Sequence, residues 1–108
     1  MSLAPEIQAY LKRLEALNLP QVWQAPVDVI RRNTQSRVAT SGPVEAIYEI
    51  SNRFIPGPTA DLPIRIYRPT SASNAPAIVY FHGGGWVLNF LDIYDASLAR
   101  LANQSGAT

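Results

Sequence analysis

Ala77-Ile78-Val79-Tyr80-Phe81-His82-Gly83-Gly84-Gly85-Trp86 joins five uninterrupted apolar residues to three consecutive glycines. An apolar run without alternation is the pattern of a strand covered on both faces, as inside a parallel α/β sheet. It therefore predicts a buried strand over 77–81. Glycines directly after such a strand expose main chain at close range: without Cβ each can adopt positive φ, and adjacent N–H groups can converge on one negatively charged oxygen. Neither G-x-G-x-x-G nor a glycine run ending in Lys-Ser/Thr is present, which argues against a dinucleotide or phosphate loop.

Upstream, Ile64-Arg65-Ile66-Tyr67-Arg68 alternates strictly between Pro63 and Pro69, and Val44 to Phe54 mixes β-branched and aromatic residues with charges. With Pro56-Gly57-Pro58 between them, the two segments are expected to form an antiparallel hairpin. Nearer the start, Leu3, Ile7, Tyr10, Leu11, Leu14 and Leu17 recur at steps of three and four, an amphipathic helix with Ser2 as N-cap. A second, shorter helix is expected from Pro26, burying Val27 and Ile30. Downstream, Asp92 and Asp95 are spaced as an N-cap and its N3 partner, Tyr94, Leu98, Leu101 and Ala102 share a helical face, Arg100 suits its negative end, and Gly106 its C-cap.

Composition narrows the rest. The 108 residues are 47% hydrophobic, and nine Lys and Arg against eight Asp and Glu leave a net charge of +1. The basic residues are scattered apart from Lys12-Arg13 and Arg31-Arg32, so no nucleic-acid face is expected. Zero cysteines and one histidine exclude a disulfide framework, a thiolate site and a two-histidine metal site within these residues. No cofactor is expected. The opening Met1-Ser2-Leu3-Ala4-Pro5-Glu6 is unlike a signal peptide and no apolar run approaches bilayer length, so stable membrane insertion is not expected and the cytoplasm is the expected compartment.

Phe81-His82-Gly83-Gly84-Gly85-Trp86-Val87-Leu88, followed by Leu91-Asp92-Ile93-Tyr94-Asp95 and Leu98-Ala99-Arg100-Leu101-Ala102, resembles the bacterial hormone-sensitive-lipase family of carboxylesterases. Where members often carry Gly and then a small or acidic residue, this chain has Asn89-Phe90. The resemblance implies the N-terminal part of an α/β-hydrolase: cap-type helices over 1–40, and over 41–108 the start of an incomplete core with hairpin, third strand and first sheet helix. It implies a sheet order of 1-2-4-3-5, with the strands flanking 77–81 coming after Thr108, so that 108 residues are about a third of a domain.

The same resemblance implies that Gly84 and Gly85 donate their N–H groups to the oxyanion of an ester's tetrahedral intermediate, with Gly83 and His82 shaping the turn. Trp86 either walls the acyl or alcohol pocket or packs in the core. The first helix either faces substrate as part of the cap or simply buries its apolar stripe.

Hydrolysis in such enzymes needs a serine on a G-x-S-x-G elbow, then an acid, then a histidine. No G-x-S-x-G occurs here, and Ser105, in Asn103-Gln104-Ser105-Gly106-Ala107, belongs to a helix end. His82 precedes any nucleophile and reads as structural, bonded to nearby backbone; Asp92 and Asp95 read as helix caps. The expected partners are an ester substrate and a C-terminal hydrolase segment bearing the triad, without which the chain is inactive. A competing reading is a non-catalytic binding module using the glycine loop or an exposed strand edge. A lipid-surface module is disfavoured, because the first helix carries charges of both signs on its polar face.

Overall fold

Prolines mark four element boundaries in the computed structural model, which describes residues 3–108. Pro5 opens helix α1, Pro5–Ala16, where its fixed φ costs nothing and its missing N–H would have no partner. Ala4 is the residue that caps α1; the expected cap, Ser2, lies outside the described residues. Pro26 caps helix α2, Val27–Ser36, which runs into a 3₁₀ turn, Arg37–Thr40. Pro56 follows strand β1, Glu49–Ile55, and Pro69 follows strand β2, Leu62–Arg68. A 3₁₀ turn over Leu91–Tyr94 leads into helix α3, Asp95–Ser105.

The hairpin forms as its alternation predicts. Strands β1 and β2 pair antiparallel in one register, Glu49 opposite Arg68 through Ile55 opposite Leu62. Strand β1 starts later than the expected Val44, because β2 gives way to Pro69 beyond Arg68. The stretch before Glu49 turns to α3 instead: Glu45 accepts from Arg100 Nε at 2.8 Å, and the Ala46 carbonyl accepts from Asn103 Nδ2 at 3.1 Å. Arg100 is thus drawn to a carboxylate across the helix rather than to the helix's own negative end.

Helix α3 packs on the hairpin through small residues. Ala99 and Ala102 are buried with Tyr67 of β2, and Ile47 and Leu98 pack against them. Alanine at both contact positions lets the helix backbone approach the sheet closely. Leu101, expected on this face, stays exposed. Gly106 ends α3 in the left-handed conformation at φ 69°, the C-cap that its position predicted, and its N–H reaches the Ala102 carbonyl at 2.9 Å.

Three expectations of burial fail for one reason: too little among the described residues covers these positions. Helix α1 has no buried residue, and Leu3, Ile7, Tyr10, Leu11 and Leu17 are exposed. In α2, Ile30 is buried but Val27 is exposed. The apolar run 77–81 is solvent-facing, with Val79 76% and Phe81 88% exposed. Among the described residues it pairs with neither strand of the hairpin, and its backbone bonds run to Thr108. Thr108 N–H donates to the Pro76 carbonyl at 2.8 Å and Ile78 N–H donates to the Thr108 carbonyl at 2.7 Å. Two bonds from one residue straddling Ala77 are the parallel pattern. Among the described residues no helix is long and apolar enough to cross a membrane.

Candidate functional site

The three glycines after Phe81 do different work. Gly83 has no positive φ, and a Cβ there would meet nothing within 4 Å. Gly84 adopts φ 139°, and a Cβ on it would lie 2.8 Å from the Leu88 carbonyl carbon and closer still to its oxygen. Only glycine fits there. Gly85 at φ 59° is left-handed but open, and Trp86 continues the same hand at φ 58°. A bulky residue in that region is strained, and the Trp86 indole is held fully in solvent. Of its two sequence readings, core packing is therefore not what this structure shows.

The turn closes on itself. Val87 and Leu88 donate their N–H groups to the Gly84 carbonyl at 3.2 and 2.9 Å. The N–H groups of Gly84 and Gly85 donate to no acceptor among the described residues. These two adjacent donors are thus left open, as are those of Gly83 and Trp86 on either side.

One wall of the site comes from α2. Arg31 Nε donates to the Val87 carbonyl at 2.9 Å, tying the helix to the glycine turn. Between them lies a cleft of about 770 Å³ whose lining includes Arg31, Thr34 and Gln35 from α2 and the loop from His82 to Phe90. Sequence reasoning noted Arg31-Arg32 only as a basic pair; here Arg31 reaches the loop while Arg32 pairs with Asp28 at 2.9 Å within the helix.

The other side is built around Tyr94. Its ring stacks on His82 with centroids 5.5 Å apart and tilts against Tyr80 at 5.6 Å. His82 Nδ1 lies 2.9 Å from the Gly83 carbonyl, the local backbone contact expected of a structural histidine. Asn89 donates from Nδ2 to the Gly83 carbonyl at 2.8 Å and to the Tyr94 hydroxyl at 3.0 Å. Asn89 itself sits at φ 71°. Asparagine tolerates that conformation better than most residues; in the sequence, Asn89 is marked only by its departure from the family pattern.

Asp92 and Asp95 do not cap α3, and no side-chain cap bond forms at the helix start. Both turn to Arg65 on β2, whose Nη1 lies 2.8 Å from Asp92 Oδ1 and 2.6 Å from Asp95 Oδ1. The competing partner was a cation thirty residues upstream in sequence, invisible to a spacing argument. Arg65 Nε also donates to Asn52 Oδ1 at 2.8 Å, and the Tyr67 hydroxyl donates to Asp95 Oδ1 at 2.6 Å. Burial works against the Arg65 charge, but the bonds and charges of Asp95 and Asp92 outweigh it and raise its pKa. Burial, then the Asp95 bond, raises the Tyr67 phenol above its ordinary value. This cluster anchors the helix that follows the glycine loop and leaves both aspartates occupied.

Ser105 is the last residue of α3, its hydroxyl donating to the Leu101 carbonyl at 2.7 Å.

No protein-family model matches the chain. It is 45% identical over 53 residues to the carboxylic ester hydrolase LipN of Mycobacterium tuberculosis, covering 49% of this chain and 14% of that protein. It is 32% identical to an ethyl acetate hydrolase of Pseudomonas putida over 98% of this chain and 36% of that protein. Among solved structures, an esterase of the hyperthermophilic archaeon Pyrobaculum calidifontis superposes with a TM-score of 0.89 at 33% identity, over 99% of this chain and 34% of that one. The chain thus spans about a third or less of the length of these proteins.

Proposed function

Because this chain belongs to the carboxylesterases of the α/β-hydrolase fold, we propose that its glycine loop is the oxyanion-binding element of a serine carboxylic-ester hydrolase acting on short or medium acyl esters. The observation that carries this reading is the pair of open N–H donors on Gly84 and Gly85, held in a turn that closes on the Gly84 carbonyl. Attack on an ester carbonyl turns its oxygen into an alkoxide. Donors about 2.7–3.1 Å from that oxygen stabilise it, and loss of one costs roughly 3 to 4 kcal/mol of transition-state stabilisation. The same oxygen becomes negative again when water attacks the acyl-enzyme, so both donors serve both halves of the reaction.

In this reading residues 1–40 are the cap and 41–108 the start of the core, while the serine, acid and histidine lie outside these 108 residues. Arg31, which joins α2 to the loop, is then the link between cap and core. The Trp86 indole, exposed beside the donors, is available to wall the ester pocket.

The test compares two purified proteins, residues 1–108 alone and the product of the complete reading frame that encodes them, on p-nitrophenyl butyrate. Hydrolysis by the complete product and none above buffer by 1–108 is expected. Turnover by 1–108 alone, or none by the complete product, overturns the reading. In the second case cooperative unfolding of 1–108 in isolation would favour a stand-alone binding module.

A further inference from the structure

Two peptide planes carry the two open donors, and they are held by different means. In a trans peptide the carbonyl of one residue and the N–H of the next point in opposite directions, so whatever grips the carbonyl aims the N–H. The Gly84 carbonyl is gripped by backbone, the N–H groups of Val87 and Leu88, which aims Gly85 N–H. The Gly83 carbonyl is gripped by side chains alone. Asn89 Nδ2 donates to it at 2.8 Å, the Tyr94 hydroxyl at 3.4 Å, and His82 Nδ1 stands 2.9 Å away.

A peptide between two glycines rotates at little steric cost, and the Gly83–Gly84 plane, unlike Gly84–Gly85, has no backbone donor to hold it, so it depends on this side-chain grip. We propose that Asn89 is a positioning residue that, with Tyr94, fixes the Gly83–Gly84 peptide and thereby aims the Gly84 N–H at the developing oxyanion. The inference rests on the reading of Gly84 as an oxyanion donor. The amide orientation follows from the contacts: Oδ1 in place of Nδ2 would set two oxygens against each other at Gly83. The left-handed backbone of Asn89 is what turns its side chain back across six residues to that carbonyl. The Tyr94 hydroxyl is at the limit of hydrogen-bond reach and is itself held by the Asn89 amide, which leaves His82 Nδ1, from the adjacent residue, as the other close group at that carbonyl.

The test uses the product of the complete reading frame with Asn89→Asp, which keeps size but replaces the donor by an acceptor, and Asn89→Gly, which keeps the left-handed backbone but deletes the amide. The expected result with p-nitrophenyl butyrate is a fall in kcat of about tenfold for Asn89→Asp and about fivefold for Asn89→Gly, with KM unchanged. Phosphorylation of the serine by diethyl p-nitrophenyl phosphate, which also builds negative oxygen at the centre under attack, should slow in parallel. A purely structural role would lower the melting temperature and leave these rates alone. If the wild-type protein hydrolyses esters and both variants match its kcat, the positioning role is overturned while the loop's function stands. An inactive wild-type protein overturns both. Should Asn89→Asp fail to fold, Asn89→Gly decides the matter, because it preserves the loop's backbone.

Discussion

Arg65 Nη1 contacts both carboxylate oxygens of Asp95, at 2.6 and 2.7 Å, and so joins the second strand of the hairpin to the first residue of the helix that follows the glycine loop. The Arg65 side chain is only 15% exposed, so its charge depends on these partners. Asp95→Ala should destabilise the product of the complete reading frame by about 3 kcal/mol, the low end of the range for a buried charge that loses a partner, because Asp92 still reaches Arg65. Asp92, half in solvent, should matter less, with Asp92→Ala costing under about 1 kcal/mol. Urea unfolding of the two variants beside the wild type checks the ordering, and equal losses would contradict it.

Tyr67 gives a pH signature to the same cluster. Its phenol is raised above the ordinary value, first by burial and then by the bond to Asp95. A group whose folded-state pKa is raised contributes stability that is whole below its unfolded pKa, about 10 for tyrosine, and that is lost as pH climbs toward the folded value. Thermal unfolding followed from about pH 8 to 11 should show stability falling at the alkaline end. Tyr67→Phe should start about 1.5 kcal/mol lower, lacking the bond to a charged acceptor, and fall less steeply. Parallel curves would rule this out.

At the acid end the relevant carboxylate is Glu45, whose pKa is lowered by its bonds to Arg100 and Asn103. A depressed folded-state pKa means stability present above the ordinary carboxylate value of 4.5 and lost as pH falls through the lower folded value. Glu45→Gln should remove that part of the acid sensitivity, and because Glu45 and Arg100 face solvent the effect should shrink in high salt. Unfolding at two ionic strengths below about pH 5 is the measurement; an acid limb unchanged by the substitution would show that Glu45 is not a contributor.

The glycines should separate cleanly on mutation. Gly83→Ala adds a methyl to open space at ordinary φ and should keep kcat within about threefold of wild type. Gly84→Ala drives a methyl into the Leu88 carbonyl and should cost at least about a hundredfold in ester hydrolysis, the loss associated with one displaced oxyanion donor. Steady-state kinetics on p-nitrophenyl butyrate distinguish them. Equal tolerance at both positions would remove the steric argument for Gly84.

What could be read from sequence was whatever depended on near neighbours. Alternation between Pro63 and Pro69 gave the hairpin, and Gly106 gave the helix stop, because each is a backbone decision taken within a few residues. The glycine turn was legible for the same reason. The aspartates were not: their spacing fits a helix start, and only the folded hairpin brings Arg65 close enough to claim them. Asn89 stood out in the sequence as a departure from the family pattern, yet its use, bonding a carbonyl six residues back, required the turn to exist first. The apolar faces of α1 and of 77–81 were read as buried because they are apolar, and burial needs a partner that periodicity does not supply.

The pairing between Thr108 and the residues around Ala77 also has a direction. Because it is parallel, any peptide extending the ladder from Thr108 travels alongside 78–81 the same way, drawing level with Phe81 after about four residues. It then arrives next to the turn that holds Gly84 and Gly85. The polarity of one pair of backbone hydrogen bonds thus points the Thr108 end of the chain along 78–81 toward the glycine loop.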